Sequence, residues 1–409
     1  MRIYSKEFLS IMVIEHLYIK NIGPFREQSL SFNTEKTDSQ EPVTIITGVN
    51  GAGKSIIIDA LRAALSGDDI GRNIVANPDD FLIKLTMRYD GSVHEQSTGS
   101  MSAGLIRSVD YNALGHFMCY GYKLPEPVHN WVIDFWSTAL PQDTFKIKNI
   151  SSIDHEKAFA GVMRGRKSNV ELVNFICQSD YLRSSEMPEE KELGEVLYQN
   201  IKRIIDLCLD NGEFKYVQRT GLTPIIQQNG HLLSLDKLSA GNIFLIEHLL
   251  SLMSKLYSVS VLNKRAPSEI MNISGLLLID EIENHLHPKW QKKILGIIRQ
   301  LFPNLQIILT THSPFIVAAV RGAKIYTCHS QDGYSTIEDE TDYYDHLSVE
   351  EVLLSGVFDV SPFNNEISEL IQKRKQLVAS GDIQGAKQIA NQLYAINPEY
   401  FAYLGATDL

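Results

Sequence analysis

Apolar and polar residues alternate through "VIEHLYIKNIGPF", which starts at Val13, and the alternation breaks at Gly23-Pro24, predicting a half-buried strand that ends in a turn. "QSLSF" predicts its neighbour, and "FLIKLTMRYDG", residues 81–91, another strand entering a turn. Three stretches differ. "VTIITG", "GLLLID" and "LQIILTT" are unbroken apolar or β-branched runs, the pattern of strands covered on both faces. Helical patterns stand between them, so a mainly parallel sheet with crossover helices is expected. From about 125 to 211 the period becomes helical, as in "VELVNFICQ" and "LGEVLYQNIKRIIDLCL", predicting an inserted helical lobe. No heptad pattern persists, which argues against a long coiled-coil arm. The tail reads as helical, with a hairpin of helices around Gly381. The expected organisation is an N-terminal half of an α/β head (1–124), the lobe (125–211), the second half of the head (212–330) and a C-terminal helical region (331–409). Residues 1–11 read as an upstream start or extension before Met12.

Composition changes this picture little. The 409 residues are 44% hydrophobic and 21% charged, the make-up of an ordered globular chain. A net charge of −11 supplies no overall field toward DNA, although a local basic groove stays compatible with it. Four widely spaced cysteines form no disulfide framework and suit a reducing cytosol. No apolar run is read as reaching the roughly 20 residues of a membrane helix, and no signal-peptide pattern is read at the start, so no membrane partner and a cytoplasmic location are expected.

Candidate chemistry changes it more. "GVNGAGKS", residues 48–55, matches G-x-x-x-x-G-K-[ST] and sits between a buried strand and a helix, the setting a phosphate loop requires. Gly48, Asn50, Gly51, Ala52 and Gly53 would wrap backbone around phosphate oxygens, Lys54 would reach the β- and γ-phosphates of ATP, and Ser55 would ligate Mg²⁺. Asp280 and Glu281 end the second buried run: Asp280 suits Mg²⁺, and Glu281 suits orienting and deprotonating a water. His312, after the third run, could donate to a γ-phosphate. His285 and His287 lack a third ligand and read as packed or capping residues. In "LSAGN", Ser239 can cap a helix, and Gly241 would let the helix start approach an anion closely. The acidic run 338–345 reads as a solvated loop without the strand framework of a two-metal nuclease.

"GVNGAGKS", "LSAGN", "LLLIDEIENHLHP" and "TTHSP", in that order, resemble an ATP-binding-cassette (ABC) ATPase of the SMC, RecF and OLD-like kind, as Walker A loop, signature motif, Walker B with D-loop, and switch histidine. The resemblance implies an ABC-type head with an antiparallel side sheet beside the mainly parallel one. It also implies catalytic roles for Glu281 and His312, and nucleotide contacts from Ser239, Gly241 and Asn242 to ATP held by a second subunit, hence a homodimer or higher even oligomer. "YGYKL", "HLHPKWQ", "FPNLQIILTTHSP", "LSVEEVLLSGVFDVS" and "GDIQGAKQIANQL" further resemble the small ATPases of bacterial anti-phage systems, PtuA of Septu and retron-Septu among them. That likeness implies a scaffold and sensor beside a separate HNH nuclease of the PtuB type, or a retron reverse transcriptase and its nucleic acid. A RecF-like repair ATPase that loads on DNA and an AriA-like ATPase holding a Toprim effector are the alternatives. The pattern departs from the family in two places: no Q-loop glutamine is evident, and Asn242 stands where many cassettes carry Gln or Glu.

Overall fold

β1 (Val13–Ile22) pairs antiparallel with β2 (Phe25–Ser31) across the turn expected at Gly23-Pro24, with Ile22 opposite Phe25. β3 (Val43–Gly48) is buried at every position and leads through the glycine-rich loop into α1 (Lys54–Ser66). β4 (Leu82–Tyr89) returns beside β1 and continues into β5 (Ser92–Thr98). A short hairpin of β6 (Ser100–Ser102) and β7 (Leu105–Arg107) and the helix α2 (Ala113–Tyr120) follow. The computed structural model describes residues 11–401 except 38, 67–69, 71, 103–104, 108–112, 123–127, 356–357 and 359–363. Residues 1–10 and the expected boundary at 124/125 therefore lie outside the described residues.

β8 (Val132–Trp136) is wholly buried. Two helices of the lobe follow, α3 (Asn169–Leu182) and α4 (Pro188–Leu207), and then an antiparallel sheet of β9 (Gly212–Gln218), β10 (Thr223–Gln228) and β11 (His231–Ser234). α5 (Ala240–Leu262) carries the signature motif at its start, and β12 (Gly275–Ile279) leads to Asp280. α6 (Pro288–Gln291), α7 (Ile294–Leu301), β13 (Leu305–Thr310) and α8 (Pro314–Val317) precede β14 (Lys324–Gln331), β15 (Tyr334–Asp339) and the helical turn α9 (Thr341–Tyr344). Among the described residues ten strands form one sheet in the order β5-β4-β1-β2-β15-β14-β3-β13-β12-β8. The half from β14 to β8 is parallel, and most pairings on the other side are antiparallel. The expected side sheet is thus joined to the parallel one through a single parallel pairing, Ser335 with Phe25.

Three expected positions need correction. β8 falls inside the span read as helical lobe but is the edge of the main sheet, its five residues paired with β12. The sheet of β9–β11 was assigned to the head, yet it forms a sheet of its own and packs on α3 and α4. β14 reaches across the boundary set at 331 and β15 lies wholly beyond it, within the span read as helical, and the second compact unit begins at Ser348. In addition, α5 is long and apolar enough by length and composition to cross a membrane, although 72% of its most apolar window is buried inside the protein, as in a core helix. The second unit, Ser348–Leu409, holds α10 (Val349–Leu353) and the expected hairpin of α11 (Asn365–Ala379) and α12 (Ile383–Ile396), with Gly381 at φ 82° between them. Leu393 and Phe401 are buried in its small core against Ile367, Leu370 and Ile371.

A buried ion cluster joins lobe, sheet and signature helix. Asp134 of β8 is fully buried and accepts from Lys167 at 2.8 and 3.0 Å, while Lys255 of α5 lies 3.2 Å away. Burial raises the Asp134 pKa, but the two ammonium groups outweigh it and hold the carboxyl below its usual range. Glu247, about two turns before Lys255 on α5, is also buried, and neither of its oxygens has a hydrogen-bond partner. Burial pushes its pKa up to about 8. Its neighbour His248 is pushed down to about 3 by burial and therefore stays neutral.

Asp134→Ala strands two buried cations and should cost roughly 3–5 kcal/mol, read as a lower melting temperature that Lys167→Met partly restores. For Glu247 the folded pKa of about 8 exceeds the unfolded value of 4.5, so the folded state binds more protons between them. Its stabilising contribution is complete below pH 4.5 and is lost as pH rises through about 8. In melts taken across that window, Glu247→Gln should flatten the decline seen in the wild type.

Candidate nucleotide site

Parallel register brings the predicted groups to one edge of the sheet. Cys328 lies opposite Gly48, Thr310 opposite Ile46, and Ile279 opposite Leu309, so the residues after β3, β12 and β13 emerge side by side. Thr311 N–H donates to the Ile46 carbonyl at 3.0 Å, and Asp280 N–H donates to the Trp136 carbonyl at 3.0 Å, extending the ladder past the strand ends.

The loop 48–55 needs its glycines. Gly48 has φ 140° and Gly53 φ 102°; a Cβ would stand 2.4 Å from the Cys328 carbonyl oxygen at Gly48 and 2.7 Å from Pro24 and Phe25 at Gly53. Asn50 and Gly51 are exposed at the loop, Ala52 is buried, and Ser55 is half-buried in the first turn of α1. Lys54 is 4% exposed, and its ammonium donates to the Gly48 and Val49 carbonyls, each at 2.9 Å. Burial lowers its pKa, while Cys328, Glu283, Glu281 and Asp280 act in the opposite direction. The lysine and the acidic strand end thus share one electrostatic neighbourhood.

Thr310 positions both acids. Its hydroxyl donates to Asp280 Oδ1 at 2.7 Å and accepts from Glu281 N–H at 2.8 Å. Glu281 has φ 50°, left-handed backbone that side chains rarely adopt, so the residue is held against a local preference. Burial, then the Lys54 charge, lowers the His312 pKa, and the Gly48 carbonyl acts the other way. At neutral pH His312 is an uncharged ring with one N–H to give.

Sequence reasoning missed Glu283. It is the third acid of "DEIE", and its buried carboxylate accepts from Thr311 Oγ1 at 2.7 Å and from the His312 backbone N–H. Burial pushes its pKa up, against those two hydrogen bonds. Its signal was the two-residue offset from Glu281, which turns it toward β13 instead of the loop 48–55. His285 and His287 behave as expected of packed or capping residues: His285 meets the Thr138 carbonyl at 3.1 Å, and His287 caps α6. At the end of β8, Ser137 and Thr138 line a cavity of about 500 Å³ with Asp280, Arg164 and Arg166.

The signature residues lie at the start of another helix. Ser239 caps α5, accepting from Asn242 N–H at 3.2 Å, and is exposed together with Ala240. Gly241 has a reason inside the same chain: a Cβ there would stand 2.6 Å from the His285 carbonyl oxygen. The Asn242 side chain is buried and engaged with Ser239 and the Cys208 carbonyl, so its amide is occupied within its own protomer.

Comparison with known proteins agrees with this arrangement. The family described as "AAA domain, putative AbiEii toxin, Type IV TA system" matches residues 188–318, and "AAA domain" matches residues 16–102. The chain is 30% identical over 199 residues to "Retron Vc95 probable ATPase" of Vibrio cholerae serotype O1 biovar El Tor, covering 48% of this chain and 37% of the relative. It is 25% identical over 321 residues to "Septu protein PtuA" of Bacillus thuringiensis, covering 76% of this chain and 74% of the relative. The match thus spans little more than a third of the retron protein but about three quarters of that PtuA. An SMC head domain from Thermotoga maritima aligns over 80% of this chain and 98% of its own at 16% identity and a TM-score of 0.43, too loose a likeness to argue from. With the four motifs in order, and Lys54, Asp280, Glu281 and His312 meeting at one sheet edge, the chain is similar to ABC-class ATPases near PtuA of Septu and the retron ATPases.

Proposed function

We propose that the chain binds and hydrolyses ATP as a homodimer or higher even oligomer, and acts in the cytoplasm as a scaffold and sensor that restrains a separate effector nuclease in anti-phage defence. The observation that carries the enzymatic part is the meeting of Lys54 with Asp280, Glu281 and His312 at one sheet edge, while exposed Ser239 heads a different helix. In this reading, backbone N–H groups of residues 48–55 surround the phosphates, and Lys54 exchanges its loop carbonyls for phosphate oxygens. Ser55 and Asp280 offer the oxygen donors that Mg²⁺ takes, and the ion would supply neutralisation of phosphate charge. Glu281 orients a water and takes its proton, and neutral His312 donates toward the γ-phosphate. The start of the 23-residue helix α5 offers its free N–H groups and positive dipole to the nucleotide of a two-fold partner. Because the Asn242 amide is turned inward, that contact falls to Ser239 and the backbone. The defence role, with an HNH nuclease of the PtuB type or a retron reverse transcriptase and its nucleic acid as partner, rests on the likeness to PtuA and the retron ATPases.

Glu281→Gln should retain ATP, favour the dimer and lose at least about 100-fold in turnover by phosphate release; unchanged turnover would remove Glu281 from the mechanism. Ser239→Arg should abolish ATP-dependent dimerisation in sedimentation while ATP binding at Lys54 persists. Glu283→Ala leaves the His312 N–H and the Thr311 hydroxyl without their partner, costing about 1–3 kcal/mol in stability. It should lower kcat more than it raises KM, since it displaces His312 without touching the phosphate loop.

A further inference from the structure

The hairpin of β14 and β15 flanks the strand that bears the phosphate loop, and its outer end carries a cluster that the nucleotide site does not use. The run 338–345, expected as a solvated acidic loop, is instead the end of β15 followed by the turn α9, with Tyr344 buried. Thr327 lies opposite Glu338, and His329 opposite Thr336, so all four occupy one face of the hairpin. Glu340 turns back onto that face. One of its oxygens accepts from Thr327 Oγ1 at 2.5 Å, and the other lies 3.5 Å from His329 Nε2. That ring nitrogen is buried and makes no hydrogen bond, and the Thr336 hydroxyl opposite is likewise unpaired. The ligating atoms of His329, Glu338 and Glu340 all lie within 4.8 Å of one another.

Two carboxylates at that spacing repel unless a cation stands between them. The lysine of the hairpin, Lys324, is engaged with Asp339 at 3.3 Å. A buried imidazole nitrogen without a hydrogen bond, facing two carboxylate oxygens, is a metal-ligand set, and one nitrogen with two oxygens suits borderline first-row ions better than Mg²⁺. The Thr327 hydroxyl supplies the outer contact that orients a ligating carboxylate.

We propose that His329, Glu338 and Glu340 bind a first-row divalent cation, zinc or manganese, at a site separate from the nucleotide and its Mg²⁺. Three protein ligands leave the remaining positions to water. The ion ties the end of β15 and the start of α9 to β14, whose Cys328 lies opposite Gly48, so it braces the outer wall of the phosphate loop.

The test uses the full chain, free of nucleotide, stripped with EDTA and titrated calorimetrically with Zn²⁺ and, separately, Mn²⁺. About one equivalent of one of them should bind, and binding should raise the melting temperature. His329→Ala and the exposed-site variant Glu338→Gln should each weaken binding at least about tenfold, with exposed His231→Ala as the unaffected control. Cobalt-loaded protein should show a visible absorption band that disappears in His329→Ala while ATP binding at Lys54 is retained, which separates loss of the site from loss of the fold. Absence of saturable binding, or equal affinity in the wild type and both variants, overturns the proposal. So does a cluster that responds only to protons, with a pH-dependent melt and no metal dependence. None of these outcomes bears on ATP turnover.

Discussion

The ammonium of Lys54 is taken almost wholly out of water, and the site is organised around offsetting that cost. A buried cation loses its hydration, and here its pKa falls accordingly. Two groups of neighbours compensate: the Gly48 and Val49 carbonyls, which accept its protons, and the acids Asp280, Glu281 and Glu283, whose charge reaches it. The acids stand there only because β3, β13 and β12 run parallel in a register that ends them together. A shift of one residue in any of these strands would move its side chains to the opposite face. The fully buried apolar runs that fix the register are therefore as necessary to the site as the polar groups at their ends.

A second constraint lies behind the signature helix. Asp134 belongs to the sheet edge, Lys167 to the lobe segment and Lys255 to α5, so three parts of the head meet at one buried carboxylate. Arg62, on the phosphate-loop helix, extends the connection: its Nε donates to the Met163 carbonyl at 2.7 Å and its guanidinium lies 4.2 Å from the centre of the Phe135 ring. Buried ion pairs add little net stability compared with apolar packing, but they tolerate few alternative geometries. The lobe is thereby tied by buried polar contacts to α1 and α5, the two helices that begin at the candidate nucleotide motifs.

Much of the site was legible in the sequence because its parts are local. The phosphate loop, the acidic strand end and the strand-end histidine each consist of a buried apolar run followed directly by polar residues, and the structure brings Lys54, Asp280, Glu281 and His312 together. What escaped depends on contacts distant in sequence. β8 is five residues long, too short for its apolar run to be distinguished from part of a helix, and only its pairing with β12 makes it a strand. The helical reading after 331 missed β15 because the strand alternates too weakly to announce itself, and its pairing with β14 and β2 is what makes it a strand. Glu283 went unread because what distinguishes it is a contact with the backbone N–H of His312 across the strand gap. Asn242 looked free to meet nucleotide, and its amide is used by Cys208, 34 residues away.

Gly241 shows why a motif residue can have two reasons at once. Its missing side chain was read as clearance for a phosphate of the second subunit, yet within one protomer the His285 carbonyl already requires that space. His285 sits at φ 62° in the turn that starts at Glu281, itself at φ 50°, so two residues in unfavourable backbone bracket the segment between the acid and the signature. Glu283, between them, grips the residues before and at His312. One short turn therefore touches Glu281, the backbone of His312 and the start of α5 in a single chain. A displacement of Glu281 would therefore reach the start of α5 through the His285 carbonyl, without passing through the sheet.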